Sequence, residues 1–247
     1  MSLLPALLLA LAAAPVFAAP APPAPSDPPL VAAVKGGDLT GLKAALAGGA
    51  AVGDKDRYGW TAVMWSIGHG EAAMTKALLD AGADPAPKDA PNYNAMIEAA
   101  KGGRFDVVPL LAAKGFSCAA KDELGIPALS YAVSQVSTGT ALALLACKAD
   151  IDAKDANGFT PLIRAVQAGQ AAEVNLLIAK GAALNARDAQ GYTALMWAAH
   201  NAFVDAARAL LAAKADPRIK GKNGQSARDI SQKRGSAGVS ALLPATP

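Results

Sequence analysis

A repeat spacing of 33 residues, as between Gly158 and Gly191, constrains this chain more than any other feature. It is clearest in residues 157–188, NGFTPLIRAVQAGQAAEVNLLIAKGAALNARD. Thr160 offers a hydroxyl cap just ahead of Pro161, and a proline suits the first helical position because its missing N–H would have no partner there. Leu162, Ala165 and Val166 give the helix that follows one apolar face. Gly169 permits a tight reversal into a second helix carrying Val174, Leu176, Leu177 and Ile178, and Gly181 supplies the left-handed residue that ends it. Three columns recur at this spacing without an insertion. One is Gly49, Gly82, Gly115 and Gly181, with Lys148 and Lys214 in the remaining slots. Another is Gly59, Gly125, Gly158, Gly191 and Gly224, with Asn92 in one slot. The last is Gly37, Gly70, Gly103 and Gly169, with Val136 and Ala202 as departures. Two short helices and a turn cannot bury their apolar faces alone. A fixed period of this size therefore predicts stacked units, a solenoid.

The residues that carry the period, GFTPLIRAV, LLIAKGA and GYTALMWAA among them, closely resemble the ankyrin repeat, and the resemblance runs over roughly 30–240. It implies an all-α, ankyrin-repeat solenoid of paired antiparallel helices joined by β-hairpin-like turns, with about six repeats and a C-terminal cap. The expected repeats are 30–56, 57–89, 90–122, 123–155, 156–188 and 189–220, with the cap at 221–243. The sequence departs from the family pattern in places. The position three past the cap is usually His, and here reads Met64, Ile97, Ser130, Ile163 and Met196, so packing is expected to replace a hydrogen bond. In the third repeat Asn94 stands where Thr is usual, and Pro91 stiffens the turn before it. The fourth repeat is least regular, with Pro127 at its cap and Val136 and Lys148 at glycine slots, and altered stacking is expected there.

Residues 1–18, MSLLPALLLALAAAPVFA, read as a signal peptide cleaved after Ala18. The apolar run is interrupted by Pro5 and Pro15 and ends on the small residues Val16 and Ala18. The competing reading is an uncleaved anchor, which would want about 20 apolar residues. Residues 19–29, APAPPAPSDPP, read as an extended proline-rich linker. The expected location is periplasmic or secreted, and the resemblance to exported repeat proteins points to a bacterial envelope.

Catalytic motifs are missing from the sequence. No nucleophile elbow, zinc spacing or phosphate loop occurs, and the two histidines, His69 and His200, lie four repeats apart. No enzyme activity, cofactor or metal is expected. The cysteines, Cys118 and Cys147, fall in adjacent repeats; in an oxidising compartment they either form a disulfide or stay as two independent thiols at packed positions.

Aromatic placement is more informative, because aromatics make up only 5% of the chain. The column six past the turn glycine reads Trp65, Glu98, Tyr131, Arg164 and Trp197. The column just before the cap reads Trp60, Tyr93, Ile126, Phe159 and Tyr192, and Tyr58 adds a ring at a hairpin tip. The first column changes residue type from layer to layer, as a binding surface does and a core column does not. The second either binds or covers backbone. Aromatic and arginine side chains commonly anchor protein interfaces, so the expected partner is a protein, held by the concave face and hairpin tips of a monomer. Occlusion of an envelope enzyme is one outcome such binding would have. A formal net charge of +3 does not point to nucleic acid. A basic run at 214–234, with Lys214, Arg218, Lys220, Lys222, Arg228, Lys233 and Arg234, supports an alternative: a structural adaptor held on anionic polymer or lipid.

Overall fold

A computed structural model describes residues 26–86 and 93–244. Helices come in pairs: α1 (Pro29–Lys35) with α2 (Leu39–Ala47), α3 (Ala62–His69) with α4 (Ala72–Asp80), and α5 (Ala95–Lys101) with α6 (Val107–Ala113). Next are α7 (Ala128–Ser134) with α8 (Thr138–Ala146), α9 (Pro161–Gln167) with α10 (Ala171–Ala179), and α11 (Ala194–His200) with α12 (Val204–Ala212). The cap is α13 (Ala227–Lys233) with α14 (Ala237–Ser240). The first helix of each pair stacks on the first helix of the next, and so do the second helices. This is the all-α solenoid read from the period. The leader at 1–18, most of the linker, and the turn containing Pro91 and Asn92 lie outside the described residues. Pro29, placed in the linker by sequence, is already the first residue of α1.

Local chemistry starts and stops the helices. Thr61, Thr160 and Thr193 each accept a hydrogen bond from the backbone N–H three residues on, at Met64, Ile163 and Met196. Asn94 does the same for α5, accepting from Met96 and Ile97. Ser226 and Asp229 form a reciprocal capping box on α13. At the far end of α9, Gly169 takes φ +73°, and the Gln170 N–H reaches back to the Ala165 carbonyl. The four described departures from the glycine columns keep the same backbone: Val136, Lys148, Ala202 and Lys214 have φ between 55° and 71°. In the fourth repeat, α7 has no side-chain cap at Pro127, and its C-cap Gln135 takes φ −110° where Gly102 and Ala168 take −80°, although Val136 keeps the left-handed backbone of its column.

Burial follows the pattern too. Leu162, Val166, Val174 and Leu177 are buried with the interlayer alanines, and Met64, Ile97, Ser130, Ile163 and Met196 are all buried, so packing does replace an imidazole there. Ser130 carries a cost, because its hydroxyl is buried without a hydrogen-bond partner in the described structure. Successive hairpins are tied by their backbone, as in Ala189 N–H to the Asn157 carbonyl and Lys222 N–H to Gln190, each 2.9 Å. Side chains add a second ladder: Lys121 donates to the Lys154 carbonyl, Lys154 to that of Arg187, and Arg187 to that of Lys220. Cys118, in the turn after α6, is bonded to Cys147 at the C-cap of α8, with the two Cα atoms 6.0 Å apart. The third and fourth repeats are thus covalently joined.

Candidate protein-binding face

Among the described residues, four hairpins are each built around one aspartate that the sequence reading did not single out. Asp188 is 6% exposed. Its Oδ1 accepts the backbone N–H groups of Gln190 and Tyr192, which closes the turn, and its Oδ2 accepts the Trp197 indole N–H at 2.8 Å. The arrangement recurs down the stack. Asp155 takes the N–H groups of Asn157 and Phe159 on one oxygen and the Arg164 guanidinium on the other. Asp122 takes those of Leu124 and Ile126, with the Tyr131 hydroxyl at 2.6 Å. Asp56 takes those of Tyr58 and Trp60, with the Trp65 indole at 2.9 Å and the Lys35 ammonium at 2.8 Å.

The column that varies as Trp65, Tyr131, Arg164 and Trp197 therefore meets one shared demand. Each side chain donates a hydrogen bond to the aspartate nine residues earlier, and so braces the hairpin against the inner helix. Variation in this column reflects alternative donors as well as any partner. Glu98, which has no proton to donate when ionised, is the exception; it pairs with Lys101 at 3.1 Å. In the cap both members are lost together, to Gly221 and Ile230. A Cβ at Gly221 would lie 2.7 Å from the Tyr192 ring, which covers that slot. The signal for the clamp was in the sequence, since Asp56, Asp122, Asp155 and Asp188 keep the common spacing.

These contacts move ionisation. Burial pushes the Asp56 carboxyl upward, but hydrogen bonds from Lys35, the Trp60 N–H, the Trp65 indole and the Tyr58 N–H outweigh it, leaving the group at about 2. Asp122 is lowered in the same way, its burial offset chiefly by the Tyr131 hydroxyl and the turn amides. The Tyr131 hydroxyl is pushed up to about 12 by burial and by its bond to Asp122. At neutral pH each is a carboxylate facing an intact donor.

The ten sequence-selected residues do not form one patch. Tyr58, Trp60, Trp65 and Tyr93 gather at the N-terminal end, with Trp60 5.1 Å from Trp65 and 5.7 Å from Tyr93 by ring centroids. Lys35 lies 4.5 Å from the Trp65 ring and 5.9 Å from that of Tyr58. Phe159, Tyr192 and Trp197 gather at the C-terminal end, each neighbouring ring 5.8 Å from Trp197. Tyr131 and Arg164 sit between them and line a cavity of about 400 Å³ with Ile126, Ser130, Ser134 and Gln135. Each histidine joins a different cluster, His69 against Trp65 at 5.2 Å and His200 against Trp197 at 5.4 Å.

The C-terminal cluster opens into a cavity of about 530 Å³ walled by Phe159, Ala189, Tyr192 and Trp197 and rimmed by Gln190, Lys222 and Asn223. A second cavity, about 410 Å³, adjoins it across Tyr192, Trp197 and Asn223 and reaches Lys233 and Arg234. The basic run is thereby divided. Arg218 pairs with Asp216 at 3.0 Å, and Arg228 donates to the carbonyls of Leu243 and Pro244, so both serve the cap itself. Lys222, Lys233 and Arg234 line the concave side. Among the described residues, no group of three His, Cys, Asp or Glu side chains has metal-site geometry, and no helix is long and apolar enough to cross a membrane.

Comparison with known proteins gives the same architecture. The family described as ankyrin repeats (3 copies) matches residues 30–122 and 129–221. A solved structure titled "Crystal structure of the ankyrin repeat domain of Bcl-3: a unique member of the IkappaB protein family" superimposes with a TM-score of 0.74 at 26% identity. It covers 86% of this chain and 97% of its own. None of the curated proteins compared matches the sequence.

Proposed function

From the premise that this chain belongs to the ankyrin-repeat family, whose repeats mediate protein–protein interaction, we propose that it is a non-enzymatic scaffold binding a partner protein through its concave face and hairpin tips. One observation carries the reading: the 530 Å³ cavity, where Phe159, Tyr192 and Trp197 leave ring surface open. Large rings held by a clamp lose little conformational entropy on docking, so their burial is available as affinity. The partner is a protein of a bacterial cell envelope, and binding there inhibits or protects against an envelope enzyme. The leader read at 1–18 and the Cys118–Cys147 bond support that location, since disulfides persist in oxidising compartments. The chain acts as a monomer with no cofactor.

The test is capture from an envelope extract by the mature chain and by variants that change the cavity without touching the clamp. Ala189 is exposed at the cavity wall, so Ala189→Trp fills the space. The reading requires that this variant lose the proteins captured by the unsubstituted chain. Equal capture by both would refute it. Adaptor binding to anionic polymer through the basic cap fits the observations less well, because Arg218 and Arg228 are engaged within the protein. Salt would distinguish the two: polymer binding collapses at high ionic strength, and an aromatic interface largely survives.

A further inference from the structure

Three cations on the concave side of the C-terminal end have no carboxylate partner among the described residues. Lys222 rims the larger cavity, and Lys233 and Arg234 line the smaller one. None of the three makes an ion pair among the described residues, and all three are exposed. The nearby acids are engaged elsewhere. Asp229 accepts from the Ser226 N–H and hydroxyl at 2.8 and 2.7 Å, Asp216 pairs with Arg218, and Asp188 turns its second oxygen to the Trp197 indole. Arg234 does reach one protein atom, donating to Nε2 of His200. A guanidinium can only donate, so His200 is the acceptor in that contact, and its Nδ1 lies 2.9 Å from the Asn201 side-chain oxygen. His200 supplies no negative charge, so it leaves the positive charge of Arg234 uncompensated.

The charge stands beside the apolar opening walled by Phe159, Ala189, Tyr192 and Trp197, and the two cavities share Tyr192, Trp197 and Asn223. Resting on the scaffold reading above, we infer that this end takes an acidic segment of the partner protein, with one aromatic or branched apolar side chain in the larger cavity. Its carboxylates, a few residues along, lie against Lys233 and Arg234. Charge complementarity selects this occupant, because a basic segment would place like charges together in a partly desolvated groove. The concave shape selects a peptide over a membrane: the cavity lies between a hairpin and an inner helix, where a flat lipid surface does not enter. The side-chain amides of Gln190 and Gln225 offer donors for peptide backbone, while Asn223 is held by Tyr192 and Gln225.

The experiment is fluorescence anisotropy with the full mature chain and short labelled peptides. One carries a phenylalanine flanked by glutamates, a second replaces the glutamates with glutamine, and a third replaces the phenylalanine with alanine. The glutamate–phenylalanine peptide should bind at least about tenfold more tightly than either analogue, a difference of about 1.4 kcal/mol. Lys233→Gln/Arg234→Gln should erase the preference for glutamate, while Lys43→Gln, on the exposed side of α2, should leave it unchanged. Both variants alter exposed side chains, and circular dichroism verifies their fold. Charge reversal gives a second check: Lys233→Glu/Arg234→Glu should prefer a lysine-flanked peptide. Equal binding of the glutamate and glutamine peptides would overturn the inference. So would vesicles of phosphatidylglycerol binding in a Lys233- and Arg234-dependent way while the peptide does not. Capture of the natural partner keeps the two levels apart. If the charge variants capture it normally and Ala189→Trp does not, the acidic specificity is wrong and the scaffold stands; if Ala189→Trp captures it normally, the scaffold reading falls.

Discussion

Asparagine at position 188 isolates one bond of the hairpin clamp. Its amide oxygen can take the place of Oδ1 and keep the N–H groups of Gln190 and Tyr192, now bonded at 2.9 and 2.8 Å. Its NH2 group then faces the Trp197 indole N–H across 2.8 Å, donor against donor. A bond to a buried charged acceptor contributes about 1.5–3 kcal/mol, so Asp188→Asn should cost about 2 kcal/mol. Trp197→Phe removes the indole donor from the same pair, leaves the Asp188 oxygen unpaired, and should cost about 2 kcal/mol as well. Because both substitutions delete one shared interaction, the double variant should lose only about 2.5–3 kcal/mol, a coupling of about 1–1.5 kcal/mol. Urea unfolding followed by far-UV circular dichroism gives the global values. Hydrogen exchange at the Gln190 and Tyr192 amides gives the local one, which matters because repeat arrays need not unfold as a single unit. Additive losses, agreeing within about 0.3–0.5 kcal/mol, would show that the indole–carboxylate bond contributes nothing and that Trp197 is not a structural brace.

Other perturbations test neighbouring parts of the argument. Val136 is β-branched at φ 55°, so Val136→Gly should stabilise the fourth repeat by about 1 kcal/mol and raise the urea midpoint; a loss of stability would mean the side chain contributes packing that its exposure conceals. Reducing the Cys118–Cys147 bond, or replacing both residues with alanine, should cost about 3.5 kcal/mol from the loop spanned by a sequence separation of 29, read as a shift in thermal midpoint with and without reductant. Asp56 is lowered from 3.8 to about 2 in the fold, so its contribution is complete above the unfolded value and is lost as pH falls from about 4 to about 2. Allowing for screening at the partly exposed Lys35, that contribution is about 1–2 kcal/mol, and Lys35→Met should flatten the acid limb of a plot of unfolding free energy against pH.

Much of the fold was legible before any coordinates, because each repeat carries its own instructions. Thr160-Pro161 starts a helix wherever it occurs, Gly169 and Gly181 permit positive φ without neighbours, and a fixed period forces equivalent surfaces to stack. Even the departures obeyed the rule: Val136 and Lys148 adopt the backbone that glycine would have taken. The columns of Trp65, Tyr131, Arg164 and Trp197 were also readable as columns, since membership is only arithmetic on residue number. What each member does was not. An indole, a phenol and a guanidinium look like a variable binding surface in sequence, and only their reach to Asp56, Asp122, Asp155 and Asp188 shows that they share a structural bond. Spacing left Cys118 and Cys147 with two outcomes, and the stacking of the two layers, which sets their Cα atoms 6.0 Å apart, decided between them. The same holds for charge. A run of seven basic residues is one feature in sequence, but the fold spends Arg218 on Asp216 and Arg228 on chain-end carbonyls, while turning Lys222, Lys233 and Arg234 towards the aromatic cavities. Sequence determined which residues share a layer and a column, because backbone propensity and period are local. Tertiary structure alone decided which side chains are engaged and which remain open, because that depends on distances between layers.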